Sequence, residues 1–242
     1  LDAEASAKIY AAKGRPSDNP LIVHIADWEA IRAIVSEIPE AAKQLADAFW
    51  PGPLTMILNK SDLVPYATTG GLETVAVRMP VNPIARALIR AGGGYVAAPS
   101  ANTSGRPSPT KAEHVAEDLN GKIDMIIDGG TVDIGLESTI VDLTDGAPTI
   151  LRPGYINQEM LTKVLGEVEM DRGLIAPESG VHPKAPGMKY RHYAPKADLI
   201  IVEGEAEKVR RKINELVQQQ ISEGKKVGVI GTDESLSYYK DG

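Results

Sequence analysis

The chain has 242 residues, 43% hydrophobic and 24% charged, enough for one large or two modest domains with a buried core and unlike disordered or fibrous chains. It contains no cysteine, which removes disulfides, thiolate metal sites and a cysteine nucleophile and fits a reducing, cytoplasmic setting. A net charge of -7 argues against strong direct nucleic-acid binding, and neither a membrane-length apolar run nor a signal-peptide pattern is present.

Leu1 already lies in a helical pattern, and Gly242 follows what reads as the second strand of an unfinished unit, so both ends are expected to be cut. Asp2 caps a helix expected to run through Ala12. Ile31, Ile34, Val35 and Ile38 recur at helical spacing, and a further helix is expected from Pro39 to Phe49. Short apolar or β-branched runs predict strands at Leu21 to Ile25, Leu54 to Leu58, Thr74 to Val77, Tyr95 to Ala98, Met125 to Ile127, Thr139 to Leu143 and Thr149 to Leu151. Asn82-Pro83 opens a helix closed by Gly92 to Gly94, and Thr110 with Glu113 predicts a capping box.

The first part is therefore mixed α/β. From Gly173 to Pro195 a Pro-, Gly- and His-rich stretch without a usable period reads as a long linker or lid. Beyond it, the strand Leu199 to Val202, a helical stripe from Val209 to Ile221 ended at Gly224, and the strand Val227 to Ile230 read as a βαβ start. No glycine fingerprint follows its first strand, so nothing there points to a dinucleotide.

Chemistry first concentrates at Lys13-Gly14-Arg15-Pro16, where two cations flank a glycine. Such a turn can face an anion, Arg offering a planar fork for phosphate or carboxylate; the alternative is a helix C-cap whose cations complement the dipole. Asn19 precedes a strand that carries His24 at its end, and Arg78 and Arg152 close two further strands. Three arginines at or beside strand ends suggest anion recognition. The segment from Pro99 to Thr110, dense in hydroxyls between a strand and a helix, has the composition of an anion cradle, or else of a solvated Ser/Pro turn. Gly135-Leu136-Glu137-Ser138-Thr139 repeats the idea on a smaller scale.

The segments KGRPSDNPLIVH, TVAVRMP, PSANTSGRPSPT, GLESTIVD and LRPG stand in an order and spacing that resembles the threonylcarbamoyl-AMP synthase family of YrdC-like enzymes. The likeness extends over Leu1 to Leu165, and PGMKYRHYAP followed by a βαβ start is similar to the linker and Rossmann-like second domain of the longer form. The resemblance implies a YrdC-like catalytic domain over 1–172 with a twisted mixed sheet and flanking helices, a linker or lid over 173–196 carrying Lys189, Arg191, His192 and Tyr193, and the start of a Rossmann-like domain over 197–242. It also implies a strand and a Thr-rich turn before the first helix, contributing a threonine ligand, which this sequence lacks.

The activity so implied joins L-threonine, bicarbonate and ATP into threonylcarbamoyl-AMP and pyrophosphate, the product passing to the proteins that transfer threonylcarbamoyl to tRNA. Carried over by position, ATP contacts fall on Arg15, Asn19, Thr74, Ser100, Asn102, Ser108, Arg152 and Tyr193, and threonine contacts on His24, Arg78, the backbone of Ala98, and Ser138. Lys13 and Arg15 are the expected catalytic cations. Mg2+ is expected to arrive with ATP, held by phosphate oxygens and water, because no carboxylate cluster has ligand spacing. Two other readings stay open: an RNA-binding YrdC-like module, and a carbamoyl-transfer domain of the hydrogenase-maturation kind.

Overall fold

The computed structural model describes residues 1–171 and 197–239. The chain divides into two units, Leu1–Pro195 and Lys196–Gly242. The proposed linker over 173–196, with Tyr193, lies outside the described residues.

In the first unit α1 (Ala3–Lys13) starts at Asp2, whose side chain accepts from the Ala5 amide, and stops at Gly14 in the left-handed region, φ 60°. Its buried residues, Ser6, Tyr10 and Lys13, repeat at i, i+4 and i+7. They form one polar face, which packs on α4 (Tyr66–Thr69) through Ser6 with Thr68 and through the Tyr10 hydroxyl to the Ala67 carbonyl.

Six strands form where β-branched runs predict them: β1 (Ile22–Ile25), β2 (Leu54–Asn59), β3 (Thr74–Arg78), β4 (Tyr95–Ala98), β5 (Thr139–Asp142) and β6 (Thr149–Arg152). A seventh, β7 (Glu169–Met170), is too short to show a period. The sheet runs β4-β1-β3-β2-β5-β6-β7, with β1/β3, β2/β5 and β6/β7 parallel and the other neighbours antiparallel.

The two faces differ in chemistry. Val23, Ile25, Leu54, Met56, Leu58, Val75, Val77, Val141 and Ile150 belong to the main core, completed by α3 (Glu40–Phe49) through Ala42, Leu45 and Ala46 and by α7 (Gln158–Leu165) through Leu161. The opposite face carries a small apolar floor of Ile22, Ile57, Ala76, Ile140 and Leu151. Since side chains alternate along a strand, His24, Thr55, Thr74 and Arg78 share that second face.

Several expected elements take another form. Trp28–Ala30 is a 3-10 turn and α2 covers only Ile31–Ile34, because Val35 turns extended to bridge Lys60. The helix opened by Asn82-Pro83 is α5 (Pro83–Ala91), with Asn82 Oδ1 accepting from the Ile84 and Ala85 amides. The capping box at Thr110 does not form: α6 (Ala112–Leu119) begins after Lys111, and the Thr110 amide donates to the His114 ring instead. Met125 to Ile127 is exposed and joins no ladder, apolar composition alone not making a strand.

In the second unit the expected central helix is α8 (Ala206–Ser222), followed by Gly224 at φ 77° and a short α9 (Asp233–Leu236). The strands expected at Leu199 to Val202 and Val227 to Ile230 do not form ladders. Leu199, Ile201 and Ile230 are 70%, 75% and 92% exposed, so β propensity is present there without the third strand and packed face that a stable sheet needs.

Candidate active site

Lys13, last on the polar face of α1, turns inward. Its side chain is almost fully buried, and Nζ donates to the carbonyls of Ser100 and Asn102, while its own carbonyl accepts from the Ser104 amide at 2.9 Å. The hydroxyl-rich segment is thereby pinned to the end of α1. Burial, then the neighbouring Arg15 charge, lowers the Lys13 ammonium to about 8, with Asp118 and Glu137 opposing.

Arg15 emerges just past the helix stop and curls over the next turn. Nε donates to the Asn19 carbonyl at 3.2 Å, and one Nη to Asn19 Oδ1 at 2.7 Å and to the Pro20 carbonyl at 2.9 Å. Asn19 is buried, so guanidinium and amide hold one another at the start of β1. Thr74 opens the adjacent β3, half-buried on the polar face.

About 13 Å farther along β3, at ~3.3 Å per residue, stands a second polar group. Arg78 pairs in register with His24 on β1, and its Nε donates to the Gly52 carbonyl at 3.1 Å. Burial lowers the pKa of Arg78, Glu137 opposing and Arg152 assisting. His24 is held down to about 4, first by burial and then by the Arg78 charge, against the carbonyls of Ile22 and Val96. Its ring is therefore neutral near pH 7, with Nδ1 3.1 Å from the Ile22 carbonyl. Ala98 of β4 lies beside Ile22 on the other flank of β1.

Arg152 reaches this group through a bulge. Ile140 pairs with Arg152 while Val141 pairs with Ile150, leaving Leu151 as the extra residue that joins the apolar floor. Arg152 donates from Nε to the Ser138 carbonyl and from Nη to Ser138 Oγ, both at 3.0 Å, and lies 3.7 Å from Glu137. Ser138 Oγ is in turn 2.8 Å from Thr55 Oγ1. Gly154 is needed for this approach: a Cβ there would stand 2.4 Å from the Glu137 carbonyl oxygen and 2.6 Å from the Thr139 nitrogen.

The hydroxyl-rich segment closes the polar face. Asn102 is buried, its amide nitrogen donating to Thr103 and Arg106 carbonyls, and its Oδ1 is the one buried side-chain polar atom among the described residues without a partner. Such an acceptor costs about 1–3 kcal/mol unless a ligand donor satisfies it. Ser100 is exposed, and the Ser108 hydroxyl donates to Glu137. A cavity of about 230 Å³ adjoins Ser108, lined also by Arg106, His114 and Asp118.

Sequence reasoning singled out neither Asp118, Thr55 nor Glu137. Asp118 is buried on α6, accepts from the Thr103 amide at 2.8 Å and from Arg106, and so anchors the segment from behind. An acid in mid-helix gives no signal of that role, whereas a carboxylate amid hydroxyls and glycine at Glu137 does give one.

The arrangement offers cations and hydroxyls along one sheet face at two stations, one around Arg15, Asn19 and Thr74, the other around His24, Arg78, Ser138 and Arg152. The Sua5/YciO/YrdC family model, described as telomere recombination, matches residues 1–154. A second, described as the threonylcarbamoyl-AMP synthase C-terminal domain, matches 156–241. The threonylcarbamoyl-AMP synthase of Pyrococcus abyssi is 56% identical over 96% of this chain and 68% of its own length; that of Bacillus subtilis is 51% identical over 98% and 67%. The crystal structure of P. abyssi Sua5 complexed with L-threonine superposes with a TM-score of 0.90 at 56% identity, covering 96% of this chain and 68% of that one. On both family matches and these identities, the chain belongs to the Sua5/YciO/YrdC family, in the form that carries the threonylcarbamoyl-AMP synthase C-terminal domain.

Proposed function

We propose that the chain is an L-threonylcarbamoyladenylate synthase that makes threonylcarbamoyl-AMP and pyrophosphate from L-threonine, bicarbonate and ATP. The observation that carries this is the likeness to a threonine-bound Sua5 at 56% identity, in a chain whose polar sheet face sets Arg78 beside a neutral His24.

At that station Arg78 takes the amino-acid carboxylate through its planar fork, with Ser138 and the Ala98 backbone alongside. At the other, Arg15 and Asn19 take ATP together with Thr74, Ser100, Asn102 and Ser108, and Arg152 meets its phosphates from beside Ser138. Bicarbonate takes up a proton and loses water to give CO2, and the threonine amine adds to it, releasing a proton and forming a carbamate. A carbamate oxygen then attacks the α-phosphorus, and pyrophosphate leaves from the opposite side. The step asks for alignment and charge neutralisation more than for an acid or base. Lys13 serves it by fixing the Ser100 and Asn102 carbonyls.

Mg2+ would come as the counter-ion of the triphosphate, held by phosphate oxygens and water, since the described residues offer no group of three His, Asp or Glu that could hold a metal ion. The product is an activated acyl donor for the proteins that modify tRNA. Direct RNA binding is the weaker reading for a chain of net charge -7, and the C-terminal family match disfavours a carbamoyl-transfer domain of another enzyme.

Incubation with the three substrates, followed by mass spectrometry, tests the assignment. Threonylcarbamoyl-AMP should form only in the complete mixture; AMP or ADP as the sole nucleotide product would contradict it.

A further inference from the structure

The carboxylate of Glu137 holds two groups that the proposed function assigns to ATP. Ser108 donates its hydroxyl to Glu137 Oε1, and Arg152 lies 3.7 Å from Oε2. A serine hydroxyl has one proton to donate. Given to Glu137, it cannot go to a phosphate oxygen. Glu137 is also the anion felt by two other cations of the site, Lys13 and Arg78. Its side chain is 27% exposed, that of Arg152 11%, so the pair is only partly screened by solvent. A phosphate brought to Ser108 and Arg152 would face this carboxylate as a like charge.

We infer that Glu137 is an internal counter-anion that competes with the nucleotide phosphates for Ser108 and Arg152 and thereby weakens ATP binding. Until displaced, it offsets the mutual repulsion of Lys13, Arg78 and Arg152 and holds Ser108 in place. It also ties the two stations together: the next residue, Ser138, is held by the same Arg152 that the phosphates would draw away. Glu137 is thus a positioning residue, and its removal should strengthen one binding step. The inference rests on the proposed ATP contacts of Ser108 and Arg152.

Titration calorimetry of the whole chain with ATP and Mg2+, without threonine, tests it. Glu137→Gln should bind ATP about tenfold more tightly, with Glu137→Ala changing in the same direction. A carboxylate that only braces the fold, or that holds the metal ion, predicts the opposite sign, so equal or weaker binding by a folded variant overturns the inference. So does loss of folding in both variants, which would make Glu137 a structural anchor. If the unaltered chain itself binds no ATP, the functional reading fails instead.

Discussion

Lys13 and Arg15, two residues apart, do different work because a left-handed glycine stands between them. Lys13 remains on the buried face of α1 and fixes two carbonyls of the hydroxyl-rich segment. Arg15 lies past the stop and clasps Asn19. The same motif reads in the sequence as a pair of anion-facing cations; burial separates them, and burial cannot be read from a tetrapeptide. In the proposed function Arg78 faces the threonine carboxylate. Loss of one charge-assisted hydrogen bond costs roughly 1.5–3 kcal/mol, so Arg78→Ala should raise the threonine requirement at least tenfold and the ATP requirement far less. Steady-state kinetics with each substrate varied in turn decides this, and an effect confined to ATP would reverse the assignment of the two stations.

At the scale of elements, the segment from Pro99 to Thr110 has the composition of an anion cradle but is shaped by residues distant in sequence. Lys13 holds it from one side and Asp118 of α6 from the other. Asp118→Ala would leave the Thr103 amide without its acceptor, at about 1–3 kcal/mol, and release Arg106. The chain should melt earlier, and the ATP requirement should rise with little change in that for threonine. Unchanged melting and kinetics would mean the segment holds its shape unaided. The strands were legible wherever β-branched runs met a partner, as at β3, and illegible where the ladder decides, as at β7 or Met125 to Ile127. The face of α1 was illegible for another reason: its buried residues are Ser6, Tyr10 and Lys13, and an apolar period does not see them.

At the largest scale, the sheet of the first unit divides two kinds of packing, a large apolar core on one face and a small apolar floor with charged and hydroxyl groups around it on the other. Neutral His24 on the charged side makes stability depend on acid. Its pKa falls from 6.5 to about 4 on folding, so the unfolded chain binds the proton more tightly, and the contribution is complete above about pH 6.5 and lost as pH falls toward 4. Thermal melts from pH 4 to 7 should show this loss in the natural chain and a shallower one in His24→Gln; identical profiles would mean the ring is charged in the fold. Among the described residues no helix is long and apolar enough to cross a membrane. The central claim, that two stations on this face bring a threonine carbamate to the α-phosphorus of ATP, is tested most directly by pyrophosphate release. Release should require L-threonine and bicarbonate together and fall sharply with serine; equal release with serine, or undiminished release without bicarbonate, would contradict it.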